Sequence, residues 1–125
     1  MSDLVEQMKV DALEAQRFSR KHLVLELDFS EASVDDIEST VDTVEYAIQG
    51  GKSEENLDIL SRLWGAYIGE ALRKVCGGEW EQAEGRLGLR TEAGIAHPQE
   101  QIRQRLTEGG QGLGDYFRLT KEQLS

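Results

Sequence analysis

The chain reads as an α+β domain, with helices packed on one face of a small antiparallel sheet. Most apolar residues recur at helical spacing. His22 to Phe29 instead alternates with a period of two, and three short stretches between Glu79 and Ala96 are weaker strand candidates. Paired glycines at Gly50-Gly51, Gly77-Gly78 and Gly109-Gly110 separate the helical runs. With 125 residues, 38% hydrophobic and 30% charged, the chain has the size of a single domain, 1–125, around one core.

Ser2 is placed to cap a first helix running to about Ser19 or Lys21, with Val5, Met8, Ala12, Ala15 and Phe18 as its apolar stripe. Leu23, Leu25, Leu27 and Phe29 then alternate with Val24, Glu26 and Asp28, the pattern of a strand with one wet face. Ser33 offers the next N-cap, with Asp36 three residues on as an imperfect capping box. Val34, Ile37, Val41, Val44 and Ile48 predict one helix from there to Gly50-Gly51.

Ser53 caps the longest predicted element, which reaches Val75 or Cys76. Its apolar residues, Leu57, Leu60, Leu63, Trp64, Tyr67, Ile68, Ala71, Leu72 and Val75, cover more than half its circumference, so it is expected to be central. Arg73 and Lys74 suit its last turn, where the helix dipole favours cations. Short strands are expected at Trp80 to Ala83, Arg86 to Arg90 and Gly94 to Ala96, joined to the first strand in one sheet. Pro98 opens a helix burying Ile102 and Leu106. A last helix, Leu113 to Leu124, buries Leu113, Tyr116 or Phe117, and Leu124.

Charge is concentrated in one segment. Residues 26 to 58 hold eleven Asp and Glu against one basic residue, Lys52, so this stretch carries the whole net charge of −10. On the expected helix after Ser33, Asp35, Glu38, Asp42 and Glu45 follow spacings of three, four and three and form one ridge beside the buried stripe. Neighbouring carboxylates there repel by roughly 0.2–0.5 kcal/mol per pair, and basic residues are nearly absent from the segment. Such a ridge reads either as a solvated face or as a docking surface that steers a cationic partner. With a pI near 4.6, nucleic acid and anionic membrane surfaces are excluded as favoured ligands.

A second motif joins Gly65, Tyr67, Gly69 and Glu70 on the long helix to Gly77, Gly78 and Trp80 just beyond it. Each mid-helix glycine costs roughly 1 kcal/mol against alanine. Four residues apart, the two share a face on which another backbone can approach. Packing is one reading; a pocket formed by Tyr67, Glu70 and Trp80 is the other. This Gly-x-Tyr-x-Gly-Glu helix, followed by Gly-Gly-x-Trp, a hairpin and the helix begun by Pro98, resembles small uncharacterised bacterial domains over roughly residues 23–120. Similar small acidic domains include immunity proteins that neutralise bacterial toxins. The resemblance therefore implies a partner-binding role, and it carries over no catalytic residue.

Other chemistry finds little support. Asp28 to Asp36 offers oxygen ligands but lacks the glycine and terminal glutamate of a calcium loop. His22, His97 and Cys76 show no metal spacing, and Cys76 falls at a helix C-terminus, which opposes thiolate formation. Gly109 to Gly114 contains no lysine and follows no strand, unlike a phosphate loop. No metal or cofactor is expected. One cysteine, no secretory pattern and no membrane-length apolar run point to the cytoplasm.

The expected function is that of a non-catalytic acidic protein-binding module. Its most concrete form is an immunity-type inhibitor that covers a cationic toxin surface with Asp35, Glu38, Asp42 and Glu45, supported by Glu31, Asp36, Glu54 and Glu55. Two alternatives stand beside it. One is a small-ligand or enzymatic module around Tyr67, Glu70 and Trp80; the other is a homo-oligomeric structural protein.

Overall fold

In the computed structural model, which describes residues 3–125, the elements run α1 (Asp3–Leu23), α2 (Glu31–Glu38), α3 (Val44–Ala47), α4 (Glu54–Cys76), β1 (Glu79–Ala83), β2 (Arg86–Arg90), β3 (Ile95–Ala96), α5 (Pro98–Glu108) and α6 (Leu113–Leu124). This is the α+β architecture expected, with a far larger helical than sheet component. The expected Ser2 cap lies outside the described residues.

α4 is the axis of the core, as its sequence predicted. Ser53 caps it by accepting a hydrogen bond from the Asn56 amide (3.2 Å), and Gly77 and Gly78, at φ 76° and 101°, end it. Trp64, Tyr67, Ile68 and Leu72 are fully buried along it, and α1 and α5 pack along its sides. From α1, Met8, Ala12 and Ala15 face α4, and Ser19 accepts a hydrogen bond from the Trp64 indole (3.2 Å). α5 starts at Pro98 and buries Ile102 and Leu106. α6 buries Leu113, Phe117 and Leu124.

The sheet is a three-stranded antiparallel meander, β1-β2-β3. Trp80, Leu89 and Ala96 stand opposite one another in register, and all three are buried. One face of the sheet is thereby turned to the helices.

The strand expected over His22 to Phe29 does not form. α1 continues to Leu23 and ends in a left-handed residue, Val24 (φ 56°), with the Leu25 amide bonding back to the Ser19 carbonyl (3.1 Å). That bond reaches one residue farther back than the Schellman bond, over a left-handed valine where glycine is usual. Beyond it residues 24–28 form neither helix nor strand, and burial alternates, with Leu25, Leu27 and Phe29 turned inward and Val24, Glu26 and Asp28 exposed. The period-two pattern thus marks an extended segment laid over helices, and the first-strand-to-hairpin pairing is replaced by side-chain anchors.

The single helix expected from Ser33 to Gly50 is also interrupted. Ser30, not Ser33, is the N-cap: its hydroxyl accepts from the Ser33 amide (3.1 Å), while the Ser33 hydroxyl donates to the Ser30 carbonyl (2.6 Å). α2 stops at Glu38 because the hydroxyls of Ser39, Thr40 and Thr43 donate to the carbonyls of Asp36, Ile37 and Thr40. The backbone then turns through three-residue hydrogen bonds into the single turn of α3. Val34, Ile37, Val41 and Val44 are nevertheless completely buried, so the stripe survives the break.

Candidate functional site

Most of the acidic ridge is neutralised from within the chain. Arg105 on α5 grips Glu38 with its guanidinium (2.7 Å at the shortest) and reaches Asp42 at 3.9 Å. Arg118 on α6 lies between Glu31 (3.2 Å) and Asp35 (3.4 Å), and Lys121 donates to Glu31 at 3.0 Å. Lys52 stands 3.7 Å from Glu45, and Arg103 bridges Glu54 and Asp58. The expectation of carboxylates left unpaired along 31–38 is therefore corrected. Glu38 does more than pair: its Oε1 accepts the Leu113 amide at 2.7 Å, at the positive end of α6. It is a structural clasp between α2, α5 and α6.

What remains anionic lies farther along. Asp42 is 85% exposed, and Glu55 is exposed with no cation within reach among the described residues. Asp36 is likewise exposed, and its charge reaches Tyr67. The Asn56 carboxamide donates to the carbonyls of Gln49 (3.0 Å) and Gly51 (2.7 Å), tying the loop after α3 to the first turn of α4. Lys52 answers Glu45 and Arg103 answers Glu54 and Asp58, while Arg105, the cation nearest Asp42, is committed to Glu38. Tyr46 on α3 is 82% exposed.

The glycine-aromatic motif is explained by packing. A Cβ on Gly65 would lie 2.5 Å from Gln99 Cα, and one on Gly69 would lie 2.0 Å from Trp80 Cη2. The first glycine admits the start of α5 and the second admits the Trp80 ring. The indole then donates to Glu70 Oε2 (2.7 Å), which Arg73 also holds (2.9 Å). Glu70 faces inward, its side chain 7% exposed, and is fully paired. Burial works to raise its pKa, but the bonds from Arg73 and Trp80 outweigh it and hold the carboxyl below its ordinary range.

Tyr67 belongs to a different cluster. Its hydroxyl accepts the Phe29 amide (2.5 Å) and lies 2.6 Å from Ser33 Oγ. The Ser33 proton is spent on the Ser30 carbonyl, so Tyr67 donates to Ser33. Its ring stacks on Phe29 (4.5 Å between centroids), with Lys74 Nζ 5.0 Å above the Phe29 ring. Burial pushes the Tyr67 pKa up. The expected pocket of Tyr67, Glu70 and Trp80 is thus split: Glu70 and Trp80 meet, and Tyr67 points elsewhere.

Open clefts flank this core among the described residues. One of about 420 Å³ lies beside Val5, Arg73, Glu79 and Trp80. A wider one, about 760 Å³, is lined by Cys76, Glu79, Arg90, Thr91 and Leu124. A polar one of about 250 Å³ is bordered by Arg86, His97, Glu100, Tyr116 and Thr120. His97 Nδ1 donates to the Leu87 carbonyl (2.9 Å), which fixes its tautomer. Among the described residues no three His, Cys, Asp or Glu side chains are grouped to hold a metal ion, and no helix is long and apolar enough to cross a membrane.

Sequence reasoning missed Tyr46, although its position off the Val34–Ile48 stripe was a visible signal. It also missed the clamps from Arg103, Arg105, Arg118 and Lys121, which leave no trace in the charge pattern, because α5 and α6 each carry two basic and two acidic residues. No protein family, no curated protein and no solved structure matched the chain.

Proposed function

We propose that the protein is a non-catalytic acidic module that binds a cationic protein through the surface of α3 and the start of α4. The observation that carries this reading is Tyr46, 82% exposed and next to Glu45, in a segment whose carboxylates outnumber their cations. Aromatic anchors of this kind are enriched at interface centres, and the surrounding charge would steer a basic partner and select it. Asp42 and Glu55 are the carboxylates left to this role, with Glu45 and Glu54 beside them in pairs with Lys52 and Arg103. Glu31, Asp35 and Glu38 give it up, being held by Arg105, Arg118 and Lys121.

An immunity-type inhibitor that occludes a toxin's basic surface is the concrete form of this proposal, supported by the motif resemblance. A cytoplasmic location accords with the single, unpaired Cys76. The test is affinity capture from the source lysate at low and high salt, comparing the native protein with Tyr46→Ala and with Asp42→Lys/Glu55→Lys. A basic protein captured at low salt and lost with both variants is expected. If every captured protein is retained equally by native and variant baits, the reading fails.

A further inference from the structure

We infer that residues 25–28 form a ready-made β-edge that takes up an extended, basic segment of a partner protein. This site is independent of the Tyr46 surface. The three backbone groups with internal partners here all belong to odd-numbered residues. The Leu25 amide donates to the Ser19 carbonyl (3.1 Å), the Leu27 carbonyl accepts from Gln16 Nε2 (2.7 Å), and the Phe29 amide donates to the Tyr67 hydroxyl (2.5 Å). In extended backbone the N–H and C=O of one residue point the same way, and successive residues alternate. The amides and carbonyls of Glu26 and Asp28 therefore point to the opposite side. They have no main-chain partner among the described residues, the Asp28 amide being turned only to its own carboxylate, and both residues are exposed.

The edge is also held in shape. Its inner side chains, Leu25, Leu27 and Phe29, pack on the core, and a left-handed residue closes each end, Val24 (φ 56°) and Phe29 (φ 66°). Val24 is β-branched and 88% exposed, an unusual choice for that backbone. A strand fixed in advance loses little conformational freedom when another pairs with it. None of the three strands of the sheet uses this edge.

Charge selects the occupant. Pairing two copies of the chain would bring both Glu26 and both Asp28 side chains along one ladder, where like charges oppose each other. Arg20 pairs with Glu26 (3.1 Å), but this contact is exposed and contributes little, and Asp28 has no cation within reach among the described residues. A strand with lysine or arginine at alternate positions meets complementary charge and finds free main-chain donors and acceptors.

The probe is a short peptide of alternating lysine and valine, added to isotope-labelled protein and followed by amide shifts and hydrogen exchange. In the free protein the Leu25 and Phe29 amides should exchange slowly and those of Glu26 and Asp28 quickly. With peptide, the Glu26 and Asp28 amides should become protected, and the largest shifts should fall at 25–28. Two changes should each weaken binding at least about tenfold: N-methylating the peptide backbone, or replacing its lysines with glutamates. Glu26→Pro removes an amide with no internal partner, so the protein should fold as before and lose the peptide. Equal binding of the N-methylated peptide, full binding by Glu26→Pro, or shifts centred at 42–55 would overturn the inference. So would a dimer in which Glu26 is already protected.

Discussion

Gly69 has no side chain, and that absence lets the Trp80 ring close on α4. An alanine there would gain roughly 1 kcal/mol of helix propensity. Its Cβ, however, would sit 2.0 Å from Trp80 Cη2 and 2.3 Å from Cζ2, so the ring must move and its bond to Glu70 must lengthen or break. Overpacking of a tight core costs about 1–3 kcal/mol, and the loosened indole bond adds to that. Gly69→Ala should therefore lower the urea midpoint by an amount equivalent to about 2 kcal/mol, with a red-shifted tryptophan emission. An unchanged midpoint would show that the glycine is not there for Trp80. The four-residue spacing of Gly65 and Gly69 announced a close approach; which group approached was beyond the sequence, because Gln99 and Trp80 come from separate elements.

The break after α2 shows what periodicity can and cannot carry. Val34, Ile37, Val41 and Val44 sit at helical spacing and are all buried, yet the backbone between Glu38 and Val44 is a chain of turns. The cause was written in Ser39, Thr40 and Thr43, whose hydroxyls take helix carbonyls. The clasp on Glu38 was not legible, because Arg105 and the Leu113 amide lie 67 and 75 residues away. Glu38→Gln keeps the shape and removes the charge that holds both. Hydrogen bonds to charged groups are worth about 1.5–3 kcal/mol, and this pair is half-buried, so a loss of about 2 kcal/mol is expected by denaturant unfolding. Asp42→Asn serves as the comparison: it touches the same Arg105 from solvent, and its effect should stay within about 0.5 kcal/mol. Equal effects of the two would mean that Glu38 is an ordinary surface charge.

Across the molecule, the segment that carries the net charge is answered by cations from beyond it: Arg20, Arg103, Arg105, Arg118 and Lys121, with Lys52 inside. Pairing leaves a mark on acid stability. Glu31 is held below its ordinary 4.5 by Lys121 and Arg118, Glu81 by Arg90 and Glu100 by Arg86. Glu70 is lowered despite its burial, through Arg73 and Trp80. A carboxyl whose pKa is lower folded than unfolded contributes stability above the unfolded value, and that contribution is lost as pH falls through the folded one. Acidification also relieves the self-repulsion of a chain at −10, an effect of opposite sign that begins in the same window. Glu70→Gln separates the two, since it leaves every other carboxylate in place. The native protein should be the more stable at neutral pH, and the two stability curves should converge as pH drops below about 4.5, the unfolded value for glutamate. Curves that stay parallel down to the acid transition would mean that Glu70 titrates as it does in the unfolded chain, and that its bonds to Arg73 and Trp80 do not depend on its charge.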